Sequence, residues 1–178
     1  MSIYTRKGDS GESGLFGTKE RFPKDSALYD ALGTLDELNS FLGLCYAQCQ
    51  EEPTDAEASA MVRGVQEHLF IVQAALAGSP KSLSHEEVTW AEERIEALMR
   101  TVQPPTSFLI SGATVRSAQF DFARALARRA ERAVIHARSM QALTDPTYAY
   151  LNRLSSLLYA LARYTAASAG KQESAPTY

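Results

Sequence analysis

The sequence predicts an all-α protein, a single domain built as a five-helix bundle with a glycine-rich N-terminal arm. Three observations carry that prediction. Apolar residues recur at steps of three and four through five segments, each bounded by Pro, Gly or a capping residue. No segment shows the convincing apolar–polar alternation of a half-buried strand, and no internal repeat is present. At 178 residues, 45% of them hydrophobic, the chain can bury one sizeable core.

The arm comes first. Across residues 1–25, Gly8, Gly11, Gly14 and Gly17 recur every third position among Asp, Ser, Lys and Arg, without an apolar period, which reads as loop. The bundle then occupies residues 26–170. Its first helix lies within 26–50, where Leu28, Leu32, Leu35, Leu38, Leu42 and Cys45 form the stripe, and "EEPT" ends it. Thr54 with Glu57 reads as a capping box opening a second helix that runs to about Ala77 and stops at "GSP". Ser84 with Glu87 repeats the device for a third, carrying Val88, Ala91, Ile95 and Leu98, which must end before Pro104 and Pro105.

An apolar connector, "TSFLISGA" at 106–113, leads into a long fourth helix from about Thr114 to Leu143. Asp145 as N-cap and Pro146 as first helical residue then start a fifth, which Gly170 stops. Residues 171–178 read as a mobile tail. Helices four and five are rich in alanine, including Ala123, Ala127 and Ala130 on one and Ala160, Ala162 and Ala166 on the other, so they can approach closely or face another subunit.

A net charge of −3 and a pI of about 5.7 exclude a general basic coat for nucleic acid, and Trp90 and the tyrosines form no base-stacking pattern. No apolar run approaches the roughly 20 residues of a membrane span. The N-terminal "MSIYTRKGDSG" has neither the apolar region of a signal peptide nor a transit-peptide pattern, so a cytoplasmic protein is expected. Cys45 and Cys49, four apart on a helix, read as reduced core residues.

Against that acidic background, "ARALARRAER" places Arg124, Arg128, Arg129 and Arg132 within nine positions. At about 100° per residue, Arg124, Arg128 and Arg132 form one stripe drifting about 40° per step, while Arg129 points elsewhere. One reading is a solvated face on which Glu131 pairs with its neighbours. The other is an anion site, because apolar and alanine-rich turns flank the stripe and guanidinium groups carried toward helix packing need negative charge. The arm favours the second: "TRKGDSGESG" combines glycines, the hydroxyls of Thr5, Ser10 and Ser13, and the cations Arg6 and Lys7, the equipment of an anion-binding nest. Polyphosphate suits both elements. The arm is not a P-loop, lacking its GxxxxGK[ST] order and preceding strand. On the fifth helix, Asn152 is polar beside the Leu151, Leu154, Leu158 and Leu161 stripe and can reach a nucleotide or its water shell.

"IYTRKGDSGES", "PKD", "GTLDELNS", "FLISG", "ARALARRAER" and "YLNRLSSLLYALARY" stand in an order and spacing that resembles the PduO-type ATP:cob(I)alamin adenosyltransferases, from about Ile3 to Tyr164. The resemblance implies a cobalamin adenosyltransferase-like five-helix bundle, assembled as a homotrimer with active sites between subunits. It implies transfer of the 5′-deoxyadenosyl group of ATP to the reduced cobalt of a corrinoid, giving adenosylcobalamin and triphosphate, with Mg²⁺ bound through the phosphates and no protein metal site. A flavoprotein reductase and an adenosylcobalamin-dependent acceptor enzyme are the implied partners.

Carried over by position, the ATP site comprises Thr5, Arg6, Lys7, Gly8, Asp9, Ser10, Gly11, Ser13 and Gly14 of the arm, Lys24, then Arg128, Arg129, Glu131, Arg132 and Asn152. Asp36 and Arg124 match the family's pair bridging two subunits, and with Arg128 they make up the implied catalytic set. Phe108 matches the aromatic residue that packs beneath the corrin and excludes a lower axial ligand. The chain departs from the usual pattern at Arg6, Ser13 and the "SGA" connector. Asp121 replaces a frequent histidine one turn before Arg124, where it is expected to pair with that arginine and compete with Asp36.

A non-catalytic ATP- or corrinoid-binding escort on the same scaffold is the alternative. A di-iron carboxylate bundle is excluded, because the residues three before His68, His85 and His136 are Val65, Ser82 and Ala133 rather than Glu. Histidines and cysteines are too few and too scattered for a zinc site.

Overall fold

A computed structural model describes residues 4–17, 19–51 and 56–178. The five helices are α1 (Ala27–Gln50), α2 (Ala56–Leu76), α3 (His85–Arg100), α4 (Val115–His136) and α5 (Asp145–Ser168). Helix α1 packs on α2 and α4, and α5 packs on α4 and α3, so the order around the bundle is α2, α1, α4, α5, α3. The stripe expected on α1 is the buried one, with only Leu32 part-exposed.

Helix α4 sits between α1 and α5 and offers them Phe120, Ala123, Leu126, Ala127, Ala130 and Val134, all buried. The alanines remove side-chain bulk and let the neighbouring backbones close in. Helix α5 is apolar around most of its circumference, with Tyr150, Leu151, Leu154, Leu157, Leu158, Ala160, Leu161 and Ala162 all buried. Trp90 of α3 closes the seam to α2 by lying against Gly64, where a Cβ would come within 3.0 Å of the indole.

The ends follow local chemistry. Ser84 and Glu87 form the expected capping box, and Thr114 with Ser117 forms another at the start of α4. Gly170 takes φ +64, and Lys171 N–H to Ala166 O (3.0 Å) with Gly170 N–H to Ala167 O (2.8 Å) completes a Schellman turn. The proposed Thr54 cap lies outside the described residues.

Four expectations need correction. Part of the arm, read wholly as loop, is a two-stranded antiparallel ribbon, β1 (Glu12–Gly14) with β2 (Arg21–Pro23), pairing Ser13 with Phe22. Three residues a side are too few to write a period into a sequence. Helix α4, expected to reach Leu143, stops at His136 and passes into a 3₁₀ turn, Ala137–Ser139. No breaker marks that point; tertiary bonds override propensity, with Gln141 Nε2 donating to Ala75 O, Leu143 N–H to Tyr148 Oη and Thr144 Oγ1 to Leu83 O. Helix α5 accordingly takes Thr144 as N-cap, one residue before the one expected. The tail is held at two points: Glu173 pairs with Arg163 (2.9 Å), and Ser174 bridges Ile110, whose N–H donates to Ser174 O (2.8 Å).

Both cysteines are free and buried, and burial together with the neighbouring Cys49 pushes the Cys45 thiol up to about 12. Inside the bundle, Tyr150 Oη and His68 Nδ1 share a hydrogen bond (3.0 Å), and Trp90 meets the imidazole edge-on at 5.0 Å between centroids. Burial holds His68 below its ordinary value and raises the Tyr150 phenol, so a neutral ring is paired with a protonated phenol.

Two measurements check this packing. Leu154→Ala, at a fully buried position, is expected to lower stability by about 2–5 kcal/mol in urea unfolding. Because the unfolded His68 takes a proton near pH 6.5 and the folded one resists it, stability should be full above about pH 6.5 and fall below it. His68→Phe should remove part of that acid sensitivity.

Candidate functional site

The arm is built by turns that glycine and two cations permit. Arg6 takes φ +60 and Gly11 φ +83, with Asp9 N–H bonded to Arg6 O and Gly11 N–H to Gly8 O, both 3.3 Å. Lys24 holds the loop from within: its Nζ donates to Gly8 O (2.7 Å) and its N–H to Gly11 O (2.9 Å). Arg21 donates to Lys7 O (2.6 Å) and Glu12 O (2.7 Å) and pairs with the Glu12 carboxylate at 3.5 Å. The carbonyls therefore face the two cations. Thr5, Arg6, Lys7, Asp9, Ser10 and Gly14 lie exposed, and Ser13 and Gly8 are half-buried. A hydrogen bond from Phe16 N–H to Ala77 O (3.1 Å) moors the ribbon to the end of α2.

On α4 the helical wheel sorts the arginines as their spacing predicts. Arg129 turns to α1 and pairs with Glu37. Arg128 and Arg132 are exposed and have no carboxylate partner among the described residues. Glu131, which could have neutralised them, instead accepts from Asn152 Nδ2 (2.9 Å), while Arg153 Nη1 donates to Asn152 Oδ1 (2.8 Å) and its Nε to Glu92 (2.8 Å). That arrangement disfavours the solvated, self-paired reading of the stripe. It joins Glu131 to Asn152 beside two open guanidinium groups.

Arg124, higher on the same face, borders a cleft of about 610 Å³ with Pro105, Ser107, Phe108, Asp121, Tyr159 and Arg163. Phe108 is 82% exposed, so it is no core plug; the connector presents it to the cleft. Asp36 is exposed and has no ion pair among the described residues, and neither it nor any described residue of the arm is bonded to Arg124, Arg128 or Arg132 within the protomer. Lys24 instead lines a separate groove with Asp25, Asp30, Glu37 and, one turn past Arg132, His136.

Asp121 does pair with Arg124, as expected, but only as the longer of its two contacts. Its short contact is to Arg163 Nη2 (2.6 Å), whereas Arg124 Nε stands 3.9 Å away. Arg163 is 4% exposed and reaches Glu173 of the tail as well, with its guanidinium 4.8 Å from the Tyr159 ring centroid. Burial raises the Glu173 carboxyl, Arg163 lowers it, and Asp121 opposes Arg163.

Sequence reasoning missed Arg163, Glu173 and Arg21. A signal for the first existed: an arginine inside "LLYALARYTAA", where almost every neighbour is apolar, has to be solvated by partners of its own. Glu173 and Arg21 sit in polar segments that offered none.

The chain matches the family described as Cobalamin adenosyltransferase over residues 3–165. It is 39% identical over 170 residues to the corrinoid adenosyltransferase PduO of Salmonella typhimurium, which covers 92% of this chain and 49% of that one. It is 39% identical over 168 residues to the corrinoid adenosyltransferase of Citrobacter freundii, with 90% and 93% covered. It spans about half the length of the Salmonella relative and nearly all of the Citrobacter one. In three dimensions it is similar to a phenylalanine-to-alanine variant of a PduO-type ATP:corrinoid adenosyltransferase from Lactobacillus reuteri complexed with cobalamin and ATP. The TM-score there is 0.92 at 26% identity, over 99% of this chain and 100% of that one.

Burial separates the arginines in a way that unfolding can read. Arg163→Met strands two carboxylates and should cost about 3–5 kcal/mol. Arg132→Ala, at an exposed position, should change stability by less than about 0.5 kcal/mol in the same urea titration.

Proposed function

Because the chain belongs to the cobalamin adenosyltransferase family, we propose that it transfers the 5′-deoxyadenosyl group of ATP to the Co(I) of a reduced corrinoid, forming adenosylcobalamin and releasing triphosphate. The observation that carries the reading is the continuity of one surface: the exposed Phe108 and the half-buried Arg124 border a cleft, and Arg128 and Arg132, without a carboxylate partner among the described residues, continue along the same helix face.

Co(I) is itself the nucleophile, attacking the 5′ carbon in line with the departing triphosphate, so no protein base is required. The protein's tasks are alignment and stabilisation of charge on the leaving group. Arg128 and Arg132 meet the phosphates, Asn152, held by Glu131 and Arg153, addresses the nucleoside, and the arm closes over the chain of phosphates with Ser10, Ser13 and its amides. Mg²⁺ enters bound to the triphosphate; among the described residues no cluster of three metal-ligating side chains offers it a cage. Phe108 packs on the lower face of the corrin, removes the axial ligand and so eases reduction of Co(II).

The site is completed between subunits of a homotrimer. Asp36 and the described residues of the arm, unattached to the arginine stripe of their own protomer, are the pieces a neighbour would receive, and the exposed Leu44, Phe122 and Ile135 on α1 and α4 supply apolar surface for the contact. No helix of the described residues is long and apolar enough to cross a membrane. We place the reaction in the cytoplasm, with a flavoprotein reductase supplying the electron and an adenosylcobalamin-dependent enzyme receiving the product.

The test is formation of adenosylcobalamin from ATP, Mg²⁺ and chemically reduced cobalamin, followed by absorbance. Product is expected, and Arg128→Ala should lower the rate by about 100-fold or more with the helical circular dichroism unchanged. Binding of both ligands without product would favour an escort instead.

A further inference from the structure

Phe108 has little packing of its own. It is 82% exposed, its own carbonyl accepts from Ser107 Oγ at 3.3 Å, and two prolines, Pro104 and Pro105, precede its loop. A wedge that must press on one face of a macrocycle needs a fixed backbone, and the described contact that fixes this one is made two residues later, where Ile110 N–H donates to Ser174 O at 2.8 Å. Ser174 is held in turn by its neighbour Glu173, whose carboxylate reaches the buried Arg163 at 2.9 Å, and Arg163 is bonded to Asp121 on the wall of the Phe108 cleft. The left-handed turn at Gly170 sends the chain back toward that point. A second groove, about 410 Å³, runs between the tail and the loop from Val102 to Leu109, so the bridge and the ion pair are the ties across it.

We propose that the C-terminal tail is a latch for the corrinoid-side loop, and that Glu173 is a positioning residue that sets Phe108 through Arg163 and the Ser174–Ile110 bridge. The inference rests on the adenosyl-transfer reading and adds a part to it. Arg163 serves both ends: it receives the cleft carboxylate of Asp121 and the tail carboxylate of Glu173, so the wall of the cleft and the loop above it are registered to one guanidinium. Removing the Glu173 carboxylate leaves the Asp121–Arg163 pair intact, and the bundle core is untouched.

The experiment compares the full chain with Glu173→Ala, Ile110→Pro and the double variant. Ile110→Pro removes the bridging N–H from the other side of the latch. Amide hydrogen exchange at Ile110 should accelerate about tenfold or more in Glu173→Ala. The four-coordinate Co(II) signal of bound cob(II)alamin, read by electron paramagnetic resonance in the presence of ATP, should fall, and with it turnover from cob(II)alamin and a reductant, by about tenfold. Turnover from chemically reduced cob(I)alamin and the KM for ATP should stay within about twofold, a split that general loss of folding would not produce. The double variant should match the worse single one, since both act on one link. An unchanged four-coordinate signal in Glu173→Ala, or an Ile110 amide that exchanges no faster than in the unaltered chain, would overturn the latch and leave the activity standing. If the unaltered chain made no adenosylcobalamin from cob(I)alamin and ATP, the activity and the catalytic part of the latch would both fall.

Discussion

The rest of the structure depends on the close packing of α4 between α1 and α5. That helix commits Phe120, Ala123, Ala127, Ala130 and Val134 to its neighbours. With most of one side spent on the core, every arginine that shares the helix is forced to the remaining arc. The alanines do more than fill space: by bringing three backbones together they fix the rotation of α4, and the rotation decides which guanidinium groups meet water and which meet Glu37 or Asp121. Charge placement in this protein is a by-product of small side chains.

Two kinds of arginine result, distinguished by what compensates them. Arg163 lies in the low-dielectric interior with two carboxylates close by, the condition under which a buried charge is tolerated. Arg128 and Arg132 keep their hydration and have no carboxylate partner among the described residues. Glu131 stands between them in sequence, yet its carboxylate is occupied by the Asn152 amide, an arrangement that keeps a strip of positive potential open on an acidic protein.

The helix count, the caps at Ser84 and Gly170 and the buried stripe of α1 were legible in the sequence, because each is written by residues within one turn of where it acts. The sorting of Arg129 away from its neighbours was legible for the same reason. The early end of α4 was not: it is decided by bonds from residues 141–144 to Ala75, Leu83 and Tyr148. Asp121 was legible only in part, on similar grounds. Its pairing with its neighbour in sequence, Arg124, was in view, but its closer partner lies 42 residues away on α5 and is buried. The functions implied by "DELNS" and "RRAER" came with the family resemblance, and spacing alone would have led no further than an anion site.

An aromatic ring left 82% exposed on a protein with a well-filled core has a thermodynamic side. In the unliganded state the phenyl of Phe108 keeps an ordered shell of water, and a flat apolar ligand laid over it would discharge that shell. Association at the cleft should therefore carry a negative heat-capacity change, its affinity drawn partly from solvent released by the protein's own side chain.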